Sequence, residues 1–105
     1  FTVATTHLSF VPGWNDLQLR SLVRSLRGTR EPLVLVGDLN MDLRRAVRTS
    51  GLRALAAVPT FPVDEPAEQL DHVLVRGPLR AEGPAQAHRT ALSDHRALAV
   101  TCAPA

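Results

Sequence analysis

Four short polar groups in this chain carry residue types able to handle a phosphoryl group. Gly37-Asp38-Leu39-Asn40 directly follows the most apolar run. A glycine there lets the backbone turn sharply, and Asp38 and Asn40, two apart, share one side if the chain stays extended. The carboxylate can bind a hard cation or take a proton from water, and the amide can hold an oxyanion or orient a nucleophile. A plain Gly-Asp turn ahead of a helix cap has the same pattern. Leu70-Asp71-His72-Val73 sets a carboxylate inside an otherwise apolar, alternating segment. Burying that charge is costly unless it is paired, so Asp71 calls for a His or Arg partner or else points outward from an edge strand. His72 falls on the opposite face and reads as packing or surface. Ser93-Asp94-His95 precedes the last apolar segment: Asp94 could join a cation site and His95 could meet a phosphoryl oxygen or a proton in flight, with a polar turn as the alternative. Thr6-His7 ends the first segment, where His7 is either a satisfied strand-end histidine or a group bonded to phosphate or to a carboxylate. His88 has no motif around it and reads as surface.

The elements that must position these groups are legible from periodicity and punctuation. Residues 2–8, rich in Thr and Val, predict a strand, and Pro12-Gly13 a turn. Asn15 or Asp16 then caps a helix whose Leu19, Leu22, Val23 and Leu26 form one buried stripe, with Arg20, Arg24 and Arg27 off it and Gly28 at its end. Leu33-Val34-Leu35-Val36 suits a central strand buried on both faces. Asp42 caps a second helix through about Ser50, ended by Gly51, and 52–57 continues as a short helical turn. Pro59-Thr60-Phe61-Pro62 is a rigid connection and 64–68 a polar loop. Residues 70–75 form a strand, 79–81 an edge strand, and 97–101 a final strand. The order is mixed α/β, with helices on one face of a sheet and the acid and His residues gathered at strand ends, where sites of open α/β architectures commonly lie.

Composition sets the outer limits. The 105 residues make one domain or a piece of one, and 45% apolar residues fit a folded chain. The chain opens at Phe1, already in strand-like sequence, and reads as cut from something longer, so localisation stays unknown. No apolar run approaches the roughly 18–20 residues of a membrane span. The net charge is +2 and all twelve basic residues are Arg, spread through the helices rather than massed. This argues against a dedicated duplex-binding surface but not against a phosphorylated substrate, for which Arg offers a planar fork. Cys102 stands alone, which excludes an internal disulfide and a Cys-based zinc site.

Taken in order, Thr6-His7, Gly37-Asp38-Leu39-Asn40, Leu70-Asp71-His72-Val73 and Ser93-Asp94-His95 resemble the C-terminal half of the endonuclease/exonuclease/phosphatase superfamily, and Gln18 also fits its pattern. The resemblance spans essentially the whole chain. It implies a four-layered α/β sandwich, two sheets face to face with helices outside, of which residues 1–105 supply about half as a partial domain. It further implies a Mg²⁺-dependent (or Mn²⁺- or Ca²⁺-dependent) phosphoester hydrolase, whether phosphodiesterase, nuclease or phosphatase. By the same resemblance Asp38 activates or positions water, Asn40 steadies the pentacovalent phosphorus, His95 contacts phosphate with Asp71 orienting its imidazole, His7 binds phosphate or supports proton transfer, and Asp94 helps hold the cation.

The family pattern also includes an Asn and a metal-binding Glu upstream of the Thr-His strand, which the sequence from Phe1 onward does not contain. The 105 residues alone are therefore expected to be inactive, with an uncovered apolar sheet face that pairs with the other half or self-associates. The alternatives are a non-catalytic phosphate or nucleic-acid binding module, or a non-functional gene fragment. The substrate, whether nucleic acid, phospholipid headgroup or sugar phosphate, is not readable. Trp14 could stack on a base or pack at the helix start, and Arg89 could clamp phosphate or lie free at the surface.

Overall fold

Three strands of high β propensity make the frame on which everything else is hung. The computed structural model describes all of residues 1–105. Strands β1 (Thr2–His7) and β2 (Leu33–Asp38) run parallel, connected through helix α1 (Trp14–Ser25). After helix α2 (Leu43–Ser50), the two-residue strand β3 (Arg53–Ala54) and β4 (Asp71–Arg76) complete a four-stranded sheet in the order β1-β2-β4-β3, with β4 antiparallel to both β2 and β3. Strands β5 (Leu79–Ala81), β6 (Gln86–His88), β7 (Ala97–Ala99) and β8 (Cys102–Pro104) pair as β5-β8 and β6-β7 into a narrow antiparallel ribbon.

The period-2 alternation of β2 and β4 divides the sheet into two faces. Leu35 and Leu74 join Leu8, Leu19, Leu39, Met41, Ala46 and Leu52 in the core beneath the helices. Val34 and Val75 face the other way, with Val36 and Val73, and meet Leu79, Ala81, Val100 and Cys102 of the ribbon. Each fully buried Leu in the first cluster contributes about 1.5–3 kcal/mol. The ribbon covers its face loosely: an apolar trough of about 860 Å³ runs along Val34, Val36 and Val73 as far as Phe1 and Val3.

Helix ends follow local chemistry at α2 and depart from it at α1. Asp42 caps α2 by accepting from the Arg45 amide at 2.8 Å, and Gly51 closes it in the left-handed conformation. Helix α1 begins at Trp14 behind Gly13 with no side-chain cap. The expected caps, Asn15 and Asp16, are instead inside its first turn, where Asp16 grips the Arg45 guanidinium of α2. That ion pair holds the Asp16 carboxyl below its ordinary range, chiefly through the hydrogen bond from Arg45.

Three further expectations are corrected. Residues 52–57 do not continue α2; the strand β3 breaks off there because the Arg53–Ala54 backbone finds partners in Val75 and Leu74. The final strand is two strands, divided at Val100 and Thr101, which lie opposite the four residues Glu82–Ala85 of the other ribbon arm. Trp14 does not pack at the helix start: it is 56% exposed.

Candidate active site

The register of the sheet carries the site. His7 pairs with Asp38 across β1-β2, and Asp38 pairs with Asp71 across β2-β4, so these three side chains form one row across three neighbouring strands. Residues directly opposite on one face have Cβ atoms about 4.5–5.5 Å apart. Two carboxylates in that relation repel each other unless positive charge or a donor lies between them. The row is on the ribbon side, at the end of the sheet where β1 and β2 finish and β4 starts.

Gly37 makes the row possible. It has φ +144°, and a Cβ there would lie 1.9 Å from the Thr6 carbonyl oxygen. Only glycine lets β2 lie flat against β1 at this point and still deliver Asp38 in register.

The donor that lies between the carboxylates comes from the far end of the chain. His95, in the loop before β7, brings Nδ1 to 2.6 Å from Asp71 Oδ2 and Nε2 to 3.6 Å from Asp38 Oδ2. His7 Nε2 approaches the same Asp38 oxygen at 3.5 Å from the solvent side, its own side chain 75% exposed. Burial disfavours the charged form of His95. The hydrogen bond to Asp71 and the charges of Asp71, Asp38 and Asp94 outweigh that, so its pKa is raised. An imidazole backed by a carboxylate is suited to hold or pass a proton near neutrality.

Asn40 is held by backbone bonds on both sides. Its φ of +51° is left-handed, a conformation Asn tolerates better than most residues. Its amide N–H donates to Asp38 Oδ1 at 3.0 Å, and its side-chain Nδ2 donates to the Leu8 carbonyl at 2.8 Å. From behind, the fully buried Asn15 donates to the Asn40 carbonyl at 2.9 Å. His72, also fully buried, lies within 2.7 Å of the Met41 carbonyl through Nε2, which must therefore carry the proton. That leaves Nδ1 of His72 buried without a partner. Burial lowers the His72 pKa, and the Met41 bond and nearby carboxylates only partly oppose it.

Asp38, Asp71 and His95 each offer one ligand atom within 4.8 Å of the others. A hard cation such as Mg²⁺ keeps several waters and is commonly bound by one or two protein carboxylates, so the opposed pair fits a divalent metal. Asp94 is not among these converging groups: it is exposed, and its backbone carbonyl accepts from the Val63 amide at 2.8 Å. Arg89 does not reach the row either; it is 63% exposed and pairs with Asp64. Gln18 serves the loop after β1 by accepting from the Ser9 amide at 2.8 Å. Beside Asp71 and His95 opens a cleft of about 470 Å³ lined by Val36, Val73, Thr90, Ser93 and Leu98, among others.

The sequence did not single out three contributors. Thr60 donates to Asp71 Oδ2 at 2.7 Å. The Phe61 ring packs on the His95 imidazole with centroids 4.9 Å apart. Asn15 supports Asn40. A hydroxyl between Pro59 and Phe61-Pro62 was the one available sign of the first.

The chain matches the model of the Endonuclease/Exonuclease/phosphatase family over residues 2–95. No curated protein sequence matches it. Solved structures do. A conserved protein of unknown function from Enterococcus faecalis V583 superposes with a TM-score of 0.78 at 18% identity, over 98% of this chain and 50% of that one. The mannosyl-6-phosphatase Bt3783 of Bacteroides thetaiotaomicron gives 0.67 at 16% identity, over 94% and 49%. An endonuclease/exonuclease/phosphatase family protein of Bacteroides thetaiotaomicron gives 0.65 at 16%, over 91% and 46%. The chain thus spans about half the length of the solved structures it resembles, and at these identities the likeness is one of fold. No helix is long and apolar enough to cross a membrane.

Proposed function

The chain belongs to the endonuclease/exonuclease/phosphatase family, and on that premise we propose that it forms the catalytic face of a divalent-metal-dependent phosphoester hydrolase in which water attacks phosphorus. The observation that carries this reading is the in-register row His7-Asp38-Asp71 with His95 bonded to Asp71 and facing Asp38. A structural role alone does not call for two carboxylates opposite each other in a sheet. A site that gathers a cation and a proton carrier does.

Asp38 and Asp71 would hold the metal, with Mg²⁺ the proposed ion; when bound it would neutralise charge on the nonbridging phosphate oxygens. Asp38 aligns the attacking water and draws its proton as the phosphorus–oxygen bond to the departing alcohol breaks. Asn40, fixed by Leu8 and Asp38, would steady the charge that builds on phosphorus through the amide hydrogen that the Leu8 bond leaves free. His95 contacts the phosphoryl oxygen through Nε2, because Nδ1 is committed to Asp71. His7, exposed at the rim, binds phosphate. Asp94, adjacent to His95, supports its protonated form through space rather than by touching the ion. The mannosyl-6-phosphatase neighbour fits the phosphatase side of this reading, with mannose 6-phosphate a substrate to test.

The test is a Mg²⁺ titration with bis-p-nitrophenyl phosphate and with mannose 6-phosphate, on this chain and on any longer product of its gene. Metal-dependent hydrolysis that disappears in His95→Ala supports the reading. Phosphate binding without turnover in every form would replace it with a binding module.

A further inference from the structure

Thr60 is fully buried in a loop, yet every polar atom it owns is used. Its hydroxyl lies 2.7 Å from Asp71 Oδ2, and the backbone amides of Leu70 and Asp71 point at the same hydroxyl at 3.3 and 3.4 Å. Those amides can only donate, so the single hydroxyl proton goes to Asp71. Its carbonyl accepts from the Arg96 amide at 2.7 Å, one residue beyond His95. Thr60 therefore grips the carboxylate with its side chain and the imidazole's loop with its backbone. Two neighbours reinforce the second grip: Phe61 packs on the His95 ring, and Val63 bonds both Asp94 and the Arg96 guanidinium.

We propose that Thr60 is the positioning residue of the Asp71–His95 pair, fixing the carboxylate as an acceptor and thereby assigning the ring proton to Nδ1. The inference rests on the hydrolase reading for its catalytic consequence. With Thr60 donating to Oδ2, that oxygen meets two hydrogens, one from Thr60 and one from His95. Rotation of the carboxylate, or its turning outward to solvent, would forfeit both bonds. Nε2 is then the nitrogen left to face Asp38 and substrate. Without the hydroxyl, the carboxylate can swing and the imidazole can take up either tautomer. Residues that orient a working histidine from behind typically matter by about 10–100-fold in activity.

The experiment uses ¹⁵N-histidine spectra at one fixed alkaline pH, where the His95 ring is neutral and its tautomer can be read, on the wild type, Thr60→Val and Thr60→Ser. Wild type and Thr60→Ser are expected to show His95 with its proton on Nδ1. Thr60→Val, of equal size but lacking the donor, is expected to show mixed tautomers. In the hydrolysing form of the protein, Thr60→Val should lower kcat by about 10–100-fold with KM little changed, and Thr60→Ser should restore it. A wild-type His95 protonated on Nε2 alone would overturn the proposal even if Thr60→Val failed to fold. So would a folded Thr60→Val with an unaltered His95 signature. Because the spectra need no substrate, they stand apart from the hydrolase reading, which His95→Ala kinetics decide separately.

Discussion

Asp71 and His95 lie 24 residues apart in the chain and share a 2.6 Å hydrogen bond, Nδ1 of the imidazole donating to Oδ2 of the carboxylate. The pair turns Nε2 toward Asp38, so its value depends on both members. His95→Ala is expected to lower turnover by at least about 10²-fold, the low end for a lost acid–base group. Asp71→Asn keeps the shape but replaces an acceptor with an amide that can donate, and should cost a similar factor. Steady-state hydrolysis of bis-p-nitrophenyl phosphate by the hydrolysing form of the protein measures both; near-normal turnover in either would remove the pair from the mechanism.

Gly37→Ala should damage the fold before it damages the chemistry. The added methyl would sit 1.9 Å from the Thr6 carbonyl oxygen, in the middle of the β1-β2 ladder. Neither strand can withdraw without breaking the row that holds His7 and Asp38. The expected loss is at least about 3 kcal/mol, the upper end for overpacking. Urea unfolding would read it, and a loss under about 1 kcal/mol would show that the strands part more easily than their register implies.

Local signals account for what was legible before the fold was known. The apolar run Leu33–Val36 and the Asp42 and Gly51 punctuation around α2 act through nearest neighbours, so they read correctly from sequence. Strand β3 did not, because residues 52–57 have no strong period of their own and pair only where β4 offers its edge. The break at Val100-Thr101 depends on the unequal opposite arm. In the site, Asp38, Asn40, Asp71 and His95 were visible as residue types that bear chemistry. Thr60 and Asn15 were not, since a hydroxyl or amide gains its role only from the partner the fold brings to it. The sequence leaves His72 as packing or surface; it is buried, and its bond to the Met41 carbonyl adds a hold on the turn that carries Asn40.

The metal-free chain should lose stability on the acid side of pH 6.5 through His72. Burial depresses its pKa below the ordinary histidine value of 6.5. The unfolded state therefore binds the proton first, and stability present above that value falls as the pH drops below it. His95 acts in the opposite window: its raised pKa gives stability that is complete below 6.5 and is lost as the pH rises through the folded value. His72→Gln, which can still donate to the Met41 carbonyl but cannot titrate, should flatten the acid limb and leave the alkaline one. Thermal unfolding between roughly pH 5 and 8.5, on either side of the ordinary histidine pKa, tests this, and an acid limb equally steep in the variant would exclude His72 as its source.

Asp38→Asn should separate the needs of the empty fold from those of the reaction. Asp38 and Asp71 oppose each other in the sheet, and like charges so placed are destabilising by up to about 1 kcal/mol. Asparagine keeps an oxygen for the Asn40 amide, now at 3.0 Å from Asp38 Oδ1, while removing the charge. Without metal, at an alkaline pH where His95 is neutral and offers Asp38 no positive charge, the variant should be as stable as the wild type or slightly more so. With Mg²⁺ the order should reverse, because an ion that binds only the folded wild-type site stabilises it in proportion to the logarithm of its concentration over Kd. Unfolding curves of both proteins with and without Mg²⁺ would show the crossing. If magnesium raised the stability of Asp38→Asn as much as that of the wild type, the cation would be bound elsewhere, and the opposed carboxylates would need another explanation.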